Sequence, residues 1–194
     1  MQLLSALNKI SANFITGENM QVTHEIAPVW NSESTILILG TMPSPASRNA
    51  GFFYMHPQNR FWPVMESIFN ETFVYANKSS DIDKAIAERK EFLLRHNIAL
   101  WDVLAKCEIN GAEDSSIKQA VPNDFGEILA GSKIRQIFCT GKTAFSLYKK
   151  YCAALYTIPF DCLPSTSPAN QAHWNKEKLI DEYKNKLLIN NRLQ

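Results

Sequence analysis

Two segments of this chain gather residue types suited to chemistry. The first, Gly40 to Trp62 (GTMPSPASRNAGFFYMHPQNRFW), packs glycine, proline, aromatics and side-chain amides into one stretch. Asn59 carries an amide that both donates and accepts hydrogen bonds, and Pro57 restricts the turn presenting it. Capping the helix that follows is an equally good use of such a residue. Tyr54, with Phe52 and Phe53, offers a flat face for a planar ligand, and the same aromatics suit a core. The second segment, Leu163 to Asn170 (LPSTSPAN), places Ser165, Thr166 and Ser167 ahead of a helix. Hydroxyls and backbone N–H groups in that setting suit a phosphate or an ordinary capping turn.

Other patterns fall away. Gly141-Lys142-Thr143 resembles the end of a phosphate-binding P-loop, but Gln136 stands where that motif requires glycine. Histidines 24, 56, 96 and 173 have no metal-ligand spacing, so no metal is expected. Cys107, Cys139, Cys152 and Cys162 form no C-x-x-C pair, which fits a reducing compartment and supports neither an iron–sulfur cluster nor structural zinc.

The elements that position these segments are legible in the hydrophobic pattern. Thr35 to Leu39 is an apolar run closed by Gly40, as expected of a strand buried on both faces. Ile98 to Trp101, Ile134 to Cys139 and Phe160 to Leu163 read as further strands. Phe61, Trp62, Met65, Ile68 and Phe69 make one helical stripe, with Pro63 tolerable only in the first turn, so that helix starts near Asn59. Asp81 is placed to cap a helix running to about Arg95. Pro122-Asn123-Asp124 opens a short helix, Lys142 to Tyr151 forms another, and Asn175 to about Ile189 closes the chain with an amphipathic one. The polar stretch Cys107 to Val121 reads as an excursion outside the core. Strands alternating with helices predict an α/β fold with a parallel sheet covered on both faces. Ligands then bind beyond the carboxyl ends of the strands, where both segments emerge.

At 194 residues the chain suits one domain, from residue 21 to 194, preceded by a helical extension over residues 1 to 20. A hydrophobic fraction of 45% and a charged fraction of 20% are ordinary for globular proteins. No run approaches the ~18 apolar residues of a membrane span, and Met1-Gln2-Leu3-Leu4 opens without a secretory signal, so a cytoplasmic protein with no membrane partner is expected. Twenty basic against nineteen acidic residues give a net charge of +1. Any nucleic-acid binding must therefore rest on local clusters such as Lys142, Lys149 and Lys150, or Lys176 and Lys178, which serve equally as solvated faces.

Taken together, GTMPS after the first strand, GFFYMHPQNRFW, LWDVL, VPNDF and LPSTSPAN are similar to the uracil-DNA glycosylase superfamily, and most like its hypoxanthine-DNA (deoxyinosine) glycosylase branch. The similarity runs from Thr35 to about Leu188. The order and spacing of H-P-x-N-x-F-W and S-T-S-P-A-N make it specific. It implies a three-layer α/β/α sandwich around a short parallel sheet, and a monomer that acts without cofactor on double-stranded DNA containing a deaminated base. Mismatch-specific relatives carry G-I-N-P-G in the first segment, where the asparagine positions water; Met42 occupies its place here and has no donor.

By the same resemblance, Tyr54 stacks on the flipped base while Thr41, Met42 and Phe53 read its edge. Asn59 supplies the compensating catalytic amide, with His56 as an electrostatic helper. Ser165, Thr166 and Ser167 face the DNA backbone, and Ala169 or Asn170 enters the gap left by the base. A non-catalytic DNA-binding module and a uracil or mismatch glycosylase are the alternatives. A dinucleotide enzyme is disfavoured because G-T-M-P-S lacks the needed glycines.

Overall fold

The computed structural model describes residues 20–75 and 81–192. The expected N-terminal helical extension lies outside these residues except for Met20, which begins strand β1 (Met20–Thr23). Four parallel strands form the central sheet in the order β3 (Ile98–Asp102), β2 (Ile36–Gly40), β6 (Gln136–Thr140), β7 (Phe160–Leu163). All five residues of β2 are buried, because apolar layers cover both its faces. Ile36 and Ile38 point into one core with Phe138 and Leu100, whereas Leu37 and Leu39 point into the other with Ile137 and Cys139. This is the two-residue period of a strand read on both sides.

The first core is closed by α2 (Phe61–Phe69), α3 (Ile82–Arg95) and α6 (Lys176–Arg192) through Phe61, Trp62, Met65, Phe92, Leu179 and Tyr183. The second is closed by α4 (Gly126–Ala130) and α5 (Lys142–Tyr151) through Ile128, Ala144 and Tyr148. The expected sandwich of helices about a parallel sheet is therefore observed. Pro63 is the third residue of α2, inside the first turn as required. Asp81 precedes α3 but makes no capping bond with its side chain, which instead meets Lys84 Nζ at 2.9 Å.

Two features differ from the sequence reading. Within the first segment, α1 (Pro45–Ala50) forms a short helix with Ser44 accepting from the Ser47 N–H, Pro45 at its start and Gly51 closing it at φ 69°. The polar stretch after β3 is not an excursion. β4 (Leu104–Ile109) and β5 (Lys118–Pro122) pair antiparallel, and with β1 they make a second sheet in the order β1-β4-β5. Cys107 and Ile109 enter the second core. Register shifts between Leu104 and Glu108 interrupt the alternation along β4, which hid the strand from a period-two reading. The partner strand β1 comes from more than eighty residues upstream, beyond the reach of any local pattern.

Parallel register sets the position of the site. Gly40 lies opposite Asp102, and Thr140 opposite Leu163. The four strands thus end together, and the two segments rich in functional groups leave from that one edge.

Candidate active site

A cavity of about 420 Å³ opens at this edge. Its floor is made by the strand ends Gly40, Asp102 and Thr140. The first segment contributes Thr41 to Ser44, Ser47, Phe53, Tyr54 and Asn59, and the second Ser165, Thr166, Ser167, Ala169 and Asn170. Ile109 and Ala112 to Asp114 come from the antiparallel sheet, and Gly141 to Thr143 from the start of α5. Every residue that the resemblance assigns to the site lines this cavity except His56, whereas Phe52 lies in the first core against Trp62, and Lys149, Lys150, Lys176 and Lys178 are not on the wall. That histidine is half-buried outside the wall, its Nδ1 accepting from the Gln58 N–H at 3.2 Å.

Asn59 joins the two segments. Its Oδ1 accepts from the Phe61 N–H at 2.9 Å and from the Thr166 hydroxyl at 2.9 Å. A backbone N–H only donates, so the oxygen is fixed on that side and Nδ2 on the other. Among the described residues Nδ2 has no hydrogen-bond acceptor, which leaves it available as a donor at the cavity wall. Thr166 is consequently buried and turned inward, toward Asn59 and away from solvent.

Arg60, next in the chain, secures the second segment from behind. Its backbone N–H and its Nε donate to the Thr166 carbonyl at 3.1 and 3.3 Å, and Nη2 donates to the Ser167 carbonyl at 2.7 Å. Nη1 donates to the Trp174 carbonyl. The segment also bonds to itself. Ser165 Oγ accepts from the Ser167 N–H, Ser167 Oγ from the Ala169 N–H, and Asn170 Nδ2 donates to the Ser165 carbonyl. Ala169 stands exposed at the tip.

Tyr54 is held in the left-handed region at φ 56°, a conformation that costs a non-glycine residue about 1–3 kcal/mol. The surroundings compensate. Its ring stacks on Phe61 with centroids 4.0 Å apart and planes 13° from parallel. Thr140 Oγ1 donates to the Leu39 carbonyl at 3.2 Å, so the Tyr54 hydroxyl, 2.8 Å away, donates to Thr140. Burial, reinforced by the nearby Asp102 charge, pushes the phenol far above its ordinary range, so it stays neutral. Phe53, also at the wall, is almost wholly buried, and its carbonyl accepts from Trp62 Nε1.

Two aspartate carboxylates stand at the cavity wall, Asp102 at the end of β3 and Asp114, the latter with no signal in the sequence. Asp102 Oδ2 meets His24 Nε2 at 2.8 Å, with both side chains nearly inaccessible. Its Oδ1 lies where a side chain at position 40 would begin: a Cβ added to Gly40 would approach it to 2.1 Å. Glycine ends β2 because the floor needs that space. Asp114, from the short 3₁₀ turn Asp114–Ser116, accepts from the Thr41 hydroxyl through Oδ2 at 2.8 Å. Burial raises its pKa, the Thr41 bond opposes this, and the Asp102 charge raises it further. Among the described residues no group of three or more His, Cys, Asp or Glu side chains is arranged to hold a metal ion.

Chemically, the cavity offers a flat neutral aromatic, one free amide donor, an apolar Met42 and carboxylates at its base. Under the DNA-directed role that the sequence resemblance implies, Tyr54→Ala is expected to weaken binding to a duplex containing a modified base about 5- to 150-fold, the equivalent of one lost stack of ~1–3 kcal/mol, and to leave undamaged duplex unaffected. Parallel anisotropy titrations measure this, and equal losses on both duplexes would remove the ring from base recognition.

Comparison with known proteins yields a consistent set of similarities. A family model described as the uracil DNA glycosylase superfamily matches residues 27–194. A protein named hypoxanthine DNA glycosylase from Methanosarcina barkeri is 36% identical over 98 residues, which is 50% of this chain and 57% of that protein. A second of that name, from Methanosarcina acetivorans, is 31% identical over 147 residues, 74% of this chain and 85% of its own length. A solution NMR structure of a candidate uracil DNA glycosylase from Methanosarcina acetivorans superposes with a TM-score of 0.70 at 25% identity, covering 89% of this chain and 99% of the other.

Proposed function

The chain belongs to the uracil DNA glycosylase superfamily, and on that premise we propose that it is a monofunctional DNA glycosylase that removes hypoxanthine from DNA and leaves an abasic site. The observation that carries this reading is Asn59. Its carboxamide stands at the junction of the two segments, with its oxygen held and its nitrogen free. The relatives named for hypoxanthine support the choice of base.

A base inside a duplex cannot reach a cavity at the strand ends, so the nucleotide must be extruded, at a cost of a few kcal/mol that is smallest for a mispaired or damaged base. The flipped base stacks on Tyr54, and backbone groups around Thr41, Met42 and Phe53 read its edge. Ser165, Ser167, Ala169 and Asn170 meet the DNA that has lost its base. Rupture of the glycosidic bond leaves positive charge on the sugar and negative charge on the base. Donors preset where charge develops supply a large part of catalysis. Nδ2 of Asn59 is such a donor for the departing base. Met42, 9% exposed at the wall, provides apolar contact and no proton chemistry.

Met42 also favours a second reading, a DNA-binding member of the same fold without chemistry. Incubation with duplexes holding a single deoxyinosine or deoxyuridine, followed by alkali, separates the possibilities. Strand breaks at deoxyinosine are the expected result. Breaks only at deoxyuridine would make it a uracil enzyme, and none at either would favour the binding module.

A further inference from the structure

We propose that Asp114 is the catalytic residue that accepts the proton of the attacking water, its carboxylate brought to the cavity by the turn between β4 and β5 and held there by Thr41. This rests on the glycosylase reading above. The argument is one of elimination by hydrogen bonding. Hydrolysis forms a bond from the water oxygen to C1′ and breaks the glycosidic bond, whose electron pair leaves with the base. The water's proton needs an acceptor, and that proton then passes to the departing base, which restores the carboxylate. Asn59 cannot take it, because Oδ1 already accepts from Phe61 and Thr166 and Nδ2 only donates. Met42 offers a thioether. The second segment's hydroxyl oxygens are engaged with Asn59 and with backbone N–H groups.

Among the carboxylates at the wall, Asp102 has one oxygen on His24 and the other packed beneath Gly40. Glu113 lies exposed, with Oε1 accepting from Ser115. Asp114 binds Thr41 through Oδ2 and, among the described residues, has no donor on Oδ1. Charge agrees with this placement: a carboxylate opposes departure of an anionic base but stabilises the cationic sugar from which that base departs. A carboxyl pKa above the ordinary range also improves a proton acceptor near neutral pH.

The ionisable groups in electrostatic reach of Asp114 are Asp102 from β3, Cys107 from β4 and Tyr54 from the first segment. Glu113 and Lys142 also line the cavity. The ionised form accepts the proton, so cleavage should rise with pH through the Asp114 pKa. Single-turnover cleavage of a deoxyinosine duplex is measured across pH for wild type, Asp114→Asn, Asp114→Glu and Asp102→Asn, alongside thermal melting and duplex affinity. Asp114→Asn should melt like wild type, bind the duplex at least as tightly, cleave about 10²–10⁴-fold more slowly and lose the acidic limb, with partial rescue in Asp114→Glu. A folded Asp114→Asn within threefold of wild type, or loss of the limb in Asp102→Asn alone, would overturn the assignment while leaving the glycosylase reading intact. A wild type that releases no base defeats both.

Discussion

Asn59→Asp is expected to leave the protein folded and to slow release of hypoxanthine about 10²–10³-fold, the usual loss when one preset donor to developing negative charge is removed. The aspartate keeps an oxygen for the Phe61 N–H and the Thr166 hydroxyl, so the start of α2 and its junction with the second segment survive. What disappears is Nδ2, replaced by an oxygen that repels the leaving base. Asn59→Ala is a less clean probe. It also removes a bond to an N–H in the first turn of α2, worth roughly 1 kcal/mol, and strips the buried Thr166 hydroxyl of its partner. Single-turnover cleavage with a melting curve distinguishes the two contributions. Wild-type cleavage by a folded Asn59→Asp protein would exclude the amide from the mechanism.

Arg60→Lys should be the most damaging substitution outside the cavity wall. The guanidinium holds the Thr166, Ser167 and Trp174 carbonyls through three different nitrogens. A lysine ammonium is a point charge on a flexible stem and cannot reproduce that fork. Charge-assisted bonds are worth about 1.5–3 kcal/mol each and are not additive, so a net loss of roughly 2–4 kcal/mol is expected. For a chain of this length that corresponds to a fall in melting temperature of order 10 °C. Cleavage should fall with it, because Thr166 shifts and Asn59 loses its orientation. The readout is cleavage well below the unfolding transition. If Arg60→Lys retains full activity there, the two segments do not depend on this anchor.

Much of the fold follows from local pattern. The unbroken apolar run before Gly40 identifies a strand covered on both sides, and the stripes after Arg60 and Asp81 identify its covering helices. The α1 helix was present in the sequence as Ser44-Pro45 and Gly51, a start and a stop only two turns apart that the density of proline and glycine made look like loop. β4 and β5 were obscured because bulges break their alternation and their partner β1 is remote.

The site divides along the same line. Residue types and their order alone placed Tyr54, Asn59 and the second segment at one end of a parallel sheet, since strand direction dictates where those segments emerge. The sequence could not say that Asn59 presents its nitrogen, that Thr166 turns inward, or that His56 stands outside the wall. Nor could it bring His24 to Asp102 across 78 positions, Asp114 to Thr41 across 73, or Thr166 to Asn59 across 107. Those contacts depend on sheet register and on the packing of a second sheet, and both are settled only when distant apolar faces are buried together. Helical and strand periods report on neighbours a few residues apart, whereas the direction of a single amide is decided by whichever donor the folded chain places beside it.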